Sequence, residues 1–219
     1  DLGRAEASIR EALSLSARIH PGPHADTAFM QQLLARILIE RGQPDDAEAP
    51  LRSALAVLVK QLGTSHRGTI GAANVLGQLH MERFHFDAAI DTLQGVDAIC
   101  VGIVDGPATN ACTSTRQLLA DAFLHAGRLD EAADMAQRAL QKRQSLDGDD
   151  SSDNGPPQRI LAEVRLAQGR PADALALLDA AIERYGRAGI DQNLDVAAQR
   201  EARARALLAL GNADAAMAD

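Results

Sequence analysis

A chain of 219 residues, of which 46% are hydrophobic, is long enough to bury a substantial core. Aromatic residues make up only 2% and tryptophan is absent, so alanine and leucine supply the apolar surface, which favours closely packed helices over a sheet. The net charge of −8 argues against a nucleic-acid-binding surface, which would need clustered lysine and arginine.

Apolar residues recur at helical spacing along most of the chain, as in Ile9 and Leu13 or Leu51, Leu55 and Leu58. This periodicity predicts an all-helical chain. The predicted helices span residues 4–19, 25–41, 45–62, 67–83, 87–103, 108–126, 130–146, 157–168, 172–186 and 194–210. The longest predicted loop, residues 147–157, is acidic and has no apolar residue besides its prolines, so we expect it to be mobile.

A six-residue joint separates the helices of each predicted pair. It reads Gly-Gln-Pro-Asp-Asp-Ala at 42–47 and returns in similar form at 127–132, 169–174 and 211–216. The glycine suits the left-handed cap of one helix, and the aspartate suits the first turn of the next. In a further copy, Arg83 or Phe84 replaces the glycine.

The joints repeat at a fixed period. Their closing small residue falls at 5, 47, 88 or 89, 132, 174 and 216, a spacing of about 42 residues. Such self-similarity predicts a solenoid of stacked antiparallel helix pairs. We therefore expect one solenoid of about five pairs over residues 1–219. Because the chain begins without methionine and within a repeat, we interpret it as a piece of a longer protein.

The joints carry a family resemblance. Small residues lie seven positions before each joint's glycine position, at Ala35, Gly77, Ala120, Ala162 and Ala204. With the closing alanine, they resemble the packing pattern of tetratricopeptide repeats. The long period and the linker Leu-Gly-Thr-Ser-His-Arg-Gly-Thr at 62–69 resemble the kinesin-light-chain type. HEAT and armadillo arrays share this repeat length, but the Gly-x-x-x-x-Ala joint argues against them.

The two cysteines, Cys100 and Cys112, are too few for a disulfide framework. We expect two separate, buried, small side chains in a reducing compartment. A reducing compartment predicts a cytoplasmic chain, and no apolar run is long enough to span a bilayer, so we expect no membrane contact. No signal peptide opens the sequence, but the ends of a piece of a longer protein carry no targeting information.

No catalytic, cofactor or metal site is predicted. His24 and His66 occupy equivalent linker positions one repeat apart, too far to share a metal ion, and we expect them to cap helices. The acidic loop fails the EF-hand pattern because Asn154 stands where glycine is needed. Phosphate-binding glycine motifs are absent from the sequence. We therefore expect no enzymatic activity and no cofactor.

Polar residues occupy two register positions on the first helix of each pair, one turn apart. The resemblance to tetratricopeptide arrays places these positions in the concave groove, exposed and able to bond a peptide. The alternative is a merely solvated helix face. The predicted groove residues are Gln32, Arg36, Asn74, Gln78, Gln117, Asp121, Arg159 and Glu163, and Glu201 and Arg205 continue the pattern.

Three functional hypotheses follow. The first is an interaction module that binds a protein or peptide in the groove. The second is a regulatory or sensory arm of a larger bacterial signalling enzyme, such as a Ser/Thr kinase, or of a transcription regulator. The third is self-association through the solenoid ends.

Overall fold

The computed structural model describes residues 1–103, 105–190 and 192–217, and every regular element in those ranges is helical. The all-helical prediction is confirmed. The helices are α1 Leu2–Ile19, α2 Ala25–Glu40, α3 Pro44–Leu62, α4 Arg67–Glu82, α5 Phe86–Cys100, α6 Thr109–His125, α7 Leu129–Asp147, a short 3-10 helix Ser152–Asn154, α8 Gly155–Ala167, α9 Pro171–Arg187, α10 Leu194–Ala209 and α11 Ala213–Ala216.

Consecutive helices pack as pairs, with α2 against α3, α4 against α5 and α8 against α9. We call α2, α4, α6, α8 and α10 the first helices and the partners that follow them the second helices. The linker histidines cap first helices as expected. His24 Nδ1 accepts from the Asp26 N–H at 3.2 Å, and His66 Nδ1 accepts from the Gly68 N–H at 3.1 Å.

The joints have the predicted left-handed residue. Gly42 has φ 72° and Gly127 has φ 74°. In the copy without glycine, Phe84 takes this position with φ 59°, while Arg83 has φ −92°. A residue with a Cβ is disfavoured there by roughly 1–2 kcal/mol. The repeat geometry therefore imposes the left-handed turn even where the sequence lacks its usual residue.

The chain divides into two compact units, unit 1 (residues 1–118) and unit 2 (residues 119–219). In unit 1, small residues mark the close approaches between helices: Ala35, Ala47 and Ala89 are fully buried. A Cβ on Gly77 would lie 2.7 Å from Leu93 Cδ2, which explains the small residue at that register. Leu38, Leu51, Leu58 and Leu79 fill the surrounding core.

Unit 2 follows the same packing rule. Ala120, Ala162 and the closing joint residues Ala132 and Ala174 have no exposed surface. Leu178 packs against the alanines of α8, α9 and α10. The small–large pattern seen in the sequence is thus the packing of the helix pairs in each unit.

The cysteines overturn the expectation of two separate thiols. Cys100 and Cys112 form a disulfide, with Cα atoms 5.5 Å apart. The pairing arises because Cys100 ends α5 and Cys112 lies in the first turns of α6, so the short intervening loop brings both to one place. The cysteines therefore give no support to a reducing compartment.

The acidic loop after α7 is held in place by a polar residue. Asn154 is completely buried, and its Nδ2 donates to the carbonyls of Gly148 at 2.9 Å and Asp149 at 3.0 Å. The expectation of an unanchored loop is wrong, because the buried side chain of Asn154 holds the loop by hydrogen bonds although no apolar side chain does so. In the described part of the chain, no helix combines the length and apolarity needed to cross a bilayer.

Candidate functional site

The first helices of unit 1 enclose a pocket of about 520 Å³. One wall comes from α2, a second from the start of α4, and the third from the α5–α6 loop with the first turn of α6. Its lining residues are Phe29, Gln32, His66, Arg67, Gly68, Gly71, Pro107, Asn110 and Ala111. We refer to it below as the pocket. It lies on the helices that the sequence assigned to the groove.

Two glycines one helical turn apart open this space. A Cβ on Gly68 would collide with the ring of Phe29, so glycine lets that ring lie against the start of α4. A Cβ on Gly71 would lie 3.3 Å from Gln32 Nε2. Side chains at these two positions would fill the pocket, since residues three apart share one face of a helix.

The pocket is electrically positive. Arg67, at the first position of α4, carries the one permanent charge among the described lining residues, and they include no aspartate or glutamate. The first turns of α4 and α6 also line the pocket, and the N-terminus of each helix carries partial positive charge. This charge contrasts with the net charge of −8 of the whole chain.

The predicted groove residues of unit 1 separate into two kinds. Gln32 lines the pocket, Gln117 is half-buried, and Arg36 and Gln78 are exposed. We call Gln32, Asn74 and Gln117, which share one register position, the amide row. Arg36 and Gln78 complete the part of the predicted stripe that lies in unit 1.

Asn74 corrects the expectation of an exposed stripe. It is only 7% exposed; its Nδ2 donates to the Ala111 carbonyl at 3.0 Å, and its Oδ1 accepts from the Thr115 hydroxyl at 2.8 Å. Both side-chain groups are thus used to tie α4 to α6. The amide holds the third wall of the pocket and is not available to a peptide.

The predicted residues of unit 2 form an ionic row across three first helices. Arg159 lies 3.9 Å from Asp121 and pairs with Glu163, and Glu163 also lies 3.3 Å from Arg205. Burial raises the pKa of Asp121, against the lowering influence of Arg159 and His125. In unit 2 the two predicted rows therefore meet, and their opposite charges pair with one another.

Most of the pocket was missed from the sequence. The stripe contributed Gln32, while Phe29, Arg67, Gly71 and Asn110 were not singled out. A usable signal was present in Gly68 and Gly71, because glycine inside a helix is unfavourable and marks a close approach or an opening. The sequence carried no signal for the contribution of the α5–α6 loop.

A second ionic cluster lies away from the pocket, where the end of α4 meets the start of α3. Arg83 binds both Glu48 and Asp45, and Arg52 donates to Glu48 at 2.7 Å. Hydrogen bonds from Arg83 and then Arg52 lower the pKa of Glu48 to about 2. This cluster links α3 to α4.

His20, His24 and Asp26 are the one group in the described chain whose potential metal-ligating atoms lie close together, within 4.8 Å. The two imidazole rings are stacked, with centroids 4.0 Å apart and planes 3° from parallel. Lone pairs of imidazole lie in the ring plane, so stacked rings do not direct them to one point. His24 Nδ1 is also occupied by its capping bond. The arrangement favours helix capping over metal binding.

Comparisons with known proteins agree with the repeat geometry. Two tetratricopeptide repeat family profiles match residues 109–184 and 31–68. No curated protein sequence matches the chain. Among solved structures, BtubC from P. vanneervenii is similar over 100% of this chain and 87% of its own, with a TM-score of 0.78 and 18% identity.

Two further structures have the same fold. A putative kinesin light chain from Podosopora anserina with TPR-like repeats matches 86% of this chain and 88% of its own, with a TM-score of 0.68 and 22% identity. A Pyrococcus horikoshii STAND signal transduction ATPase with a tetratricopeptide repeat sensor matches 95% of this chain and 32% of its own, with a TM-score of 0.70 and 13% identity. Profiles, joints and fold agree: this chain is a tetratricopeptide repeat protein with a kinesin-light-chain-like fold.

Proposed function

We propose that the chain is a protein-interaction module that binds an extended peptide along the first helices of unit 1. The pocket between α2, α4 and α6 receives one side chain of that peptide. We assign the module no catalytic step and no cofactor. The observation that carries the proposal is a cavity of about 520 Å³ on the helices that also carry the amide row.

The walls of the pocket are fixed before any ligand arrives. The bonds of Asn74 tie α4 to α6, and the Cys100–Cys112 disulfide ties α5 to α6. A preformed site loses little conformational entropy on binding, so more of the contact energy remains as affinity. This suits a module that captures a flexible segment of another protein.

The charges of the pocket favour an acidic side chain. Arg67 offers a guanidinium that can bond a carboxylate with two parallel N–H groups, and Asn110 and Gln32 offer amide donors. The ring of Phe29 provides an apolar surface beside them. We therefore expect bound peptides to place an aspartate or glutamate in the pocket, next to an apolar residue.

A pair of glycine variants tests this assignment. Gly71→Met fills the pocket from α4, while Gly95→Met is the matched control because Gly95 is exposed on α5 with no atom within 4 Å of a built Cβ. Both replace a helical glycine, so both raise helix propensity. Peptides are selected on the oxidised wild type from a random display library, and their affinities are measured by fluorescence anisotropy.

We expect Gly71→Met to weaken binding at least about tenfold, and Gly95→Met to leave it unchanged. Arg67→Ala should weaken acidic peptides more than their amide analogues, whereas Arg138→Ala on the exposed face of α7 should have no effect. Selected peptides that bind Gly71→Met as tightly as wild type would show that they dock elsewhere, and would contradict the proposal.

A second candidate function is a sensory arm of a larger signalling protein. It is favoured by the likeness to the Pyrococcus horikoshii ATPase, in which a tetratricopeptide sensor is joined to further domains. The sequence of the full-length gene tests it: a kinase, ATPase or winged-helix segment beside this chain would support the arm. Self-association through the solenoid ends stays a prediction, and light scattering of the purified chain would test it.

A cytoplasmic location also stays a prediction, and the disulfide weighs against it.

A further inference from the structure

We propose that the Cys100–Cys112 disulfide is a redox control of the pocket. Oxidised, it holds the α5–α6 loop in place as the third wall; reduced, it lets that loop move away and lowers the affinity for peptide. The inference rests on the proposed function and concerns how the same site is regulated.

The position of the disulfide carries the argument. Cys100 is the last residue of α5 and Cys112 is the fourth of α6, so the bond closes a ring around the residues between them. Three pocket residues, Pro107, Asn110 and Ala111, lie inside that ring. All the described pocket residues that come from the loop and from α6 therefore lie between the two cysteines in the sequence.

The remaining ties are unevenly distributed over the ring. At its far end, Ala111 is held by Asn74 and Ala108 is buried. Between the two helices, Val101, Gly102, Gly106 and Pro107 are exposed, and Gly106 has φ 123°. Without the crosslink, the exposed stretch that ends with Pro107 is the part of the ring with the fewest buried contacts, and Asn110 is held in place through buried Ala108 and through the bond of Asn74 to Ala111.

The chemistry needs a dithiol reductant. Its thiolate attacks one sulfur, the Cys100–Cys112 bond breaks, one cysteine leaves as a thiolate, and a mixed disulfide forms with the other. The second thiol of the reductant then attacks this mixed disulfide and releases the cysteine that is still bound in it. Two electrons and two protons pass to the protein, which ends with two thiols, and the reductant ends as a disulfide.

Burial makes this reaction depend on the ligand. Cys100 is 1% exposed and Cys112 is 2% exposed, so the loop must move before a reductant can reach either sulfur. A peptide resting against Pro107 and Asn110 would hold the loop closed and slow the reduction. By linkage, the oxidised form binds peptide more tightly by the same factor by which peptide favours the disulfide.

Hydrogen exchange tests the loop movement without any ligand. The disulfide is first verified by the absence of alkylation in denatured protein, and amide exchange is then followed by mass spectrometry with and without dithiothreitol. We expect amides of residues 105–111 to exchange at least about tenfold faster after reduction, while those of α2 and α3 in the same unit change little. Free thiols in air-purified protein, unchanged exchange, or uniform acceleration throughout unit 1 would each overturn the proposal.

A double variant separates reduction from side effects of dithiothreitol. Cys100→Ser with Cys112→Ser should exchange in residues 105–111 like reduced wild type, and dithiothreitol should not change it further. Peptides selected on the oxidised protein should lose at least about tenfold in affinity on reduction of wild type and nothing on treatment of the variant. Equal affinity for both redox forms would overturn the proposal that the disulfide controls the pocket, even if peptide binding itself is established. If the oxidised protein selects no peptide, the proposed function fails, whereas the exchange experiment still decides the loop movement.

Discussion

Units 1 and 2 carry polar residues at the same register positions of their first helices, but the two units use them differently. In unit 1 the amide row is neutral: Asn74 is consumed in tying α4 to α6, and Gln32 lines a pocket. In unit 2 the ionic row of Asp121, Arg159, Glu163 and Arg205 pairs its charges along successive helices.

A repeat position thus determines the face of a helix on which a residue lies, but not what that residue does there. A neutral amide loses less hydration on burial than a charge does, so it can serve inside a helix contact. Opposite charges on adjacent helices satisfy each other at the surface, and a ligand would have to displace them. Binding is therefore expected where the row is neutral and the neighbouring residues are small.

Both units have joints that are closed by a completely buried alanine, and a charge at this position should destabilise either unit strongly. Ala132→Asp or Ala174→Asp buries a charge at a fully enclosed joint of unit 2, and Ala47→Asp does the same in unit 1. Each should lower the free energy of unfolding by more than about 3 kcal/mol. Urea denaturation measures it, with exposed Ala176→Asp as the control. A joint variant as stable as the control would show that the joints are not tightly packed.

Within unit 1, the buried Asn74 and the exposed Gln78 should respond differently to substitution by alanine. Asn74→Ala leaves the Ala111 carbonyl and the Thr115 hydroxyl without their partner, so it should destabilise the protein by about 1–3 kcal/mol. Gln78→Ala, an exposed change on the same helix, should alter stability by less than about 0.5 kcal/mol. Thermal melts of the two variants make the comparison. Equal melting temperatures would mean that Asn74 does not tie α4 to α6.

The pH dependence of stability should differ between a variant of Glu48 in unit 1 and a variant of Asp121 in unit 2. The folded pKa of Glu48 is lowered from 4.5 to about 2, so its contribution is complete above the unfolded pKa and is lost as pH falls toward 2. Glu48→Gln should therefore cost about 1 kcal/mol at neutral pH, and the difference from wild type should vanish near pH 2.

The pKa of Asp121 is shifted in the opposite direction from that of Glu48. Its folded pKa is raised above 3.8, so its contribution favours the folded state at low pH and is lost as pH rises through the folded value. Asp121→Asn should cause no loss of stability at neutral pH. Denaturant midpoints measured across the acid range check both variants; parallel curves for Glu48→Gln and wild type would contradict the role of the Arg83 and Arg52 bonds.

The smallest expected effect concerns the joint of unit 1 that lacks glycine. Phe84→Gly relieves the left-handed strain at φ 59° but adds flexibility to the unfolded chain, so it should stabilise the protein by about 0.5–1 kcal/mol. Phe84→Ala keeps the strain and removes the exposed ring, and serves as the control. Differential scanning calorimetry compares the melting temperatures of the two variants. A lower melting temperature for Phe84→Gly than for Phe84→Ala would show that the backbone at this position is not strained.

The sequence predicted the helices and their joints because both follow from local rules: apolar period, glycine caps and acidic first turns. It also identified the register positions of the polar rows, because register is a local property, whereas their role as a binding groove stays a prediction. It did not predict the burial of Asn74, the pairing of Cys100 with Cys112 or the pocket. Those depend on where one repeat lies against the next, and a pattern within each repeat does not contain that distance.

The buried amide of Asn154 has a consequence for protein engineering. By length and acidity, residues 147–157 would be the natural place to insert a fluorescent reporter or an affinity tag. An insertion after Asp149 or Asp150 would separate the carbonyls of Gly148 and Asp149 from the side chain that binds them, and would leave a buried amide unpaired. The linker between α1 and α2 is the better choice, since Gly22 is exposed and a Cβ built on it meets no atom within 4 Å.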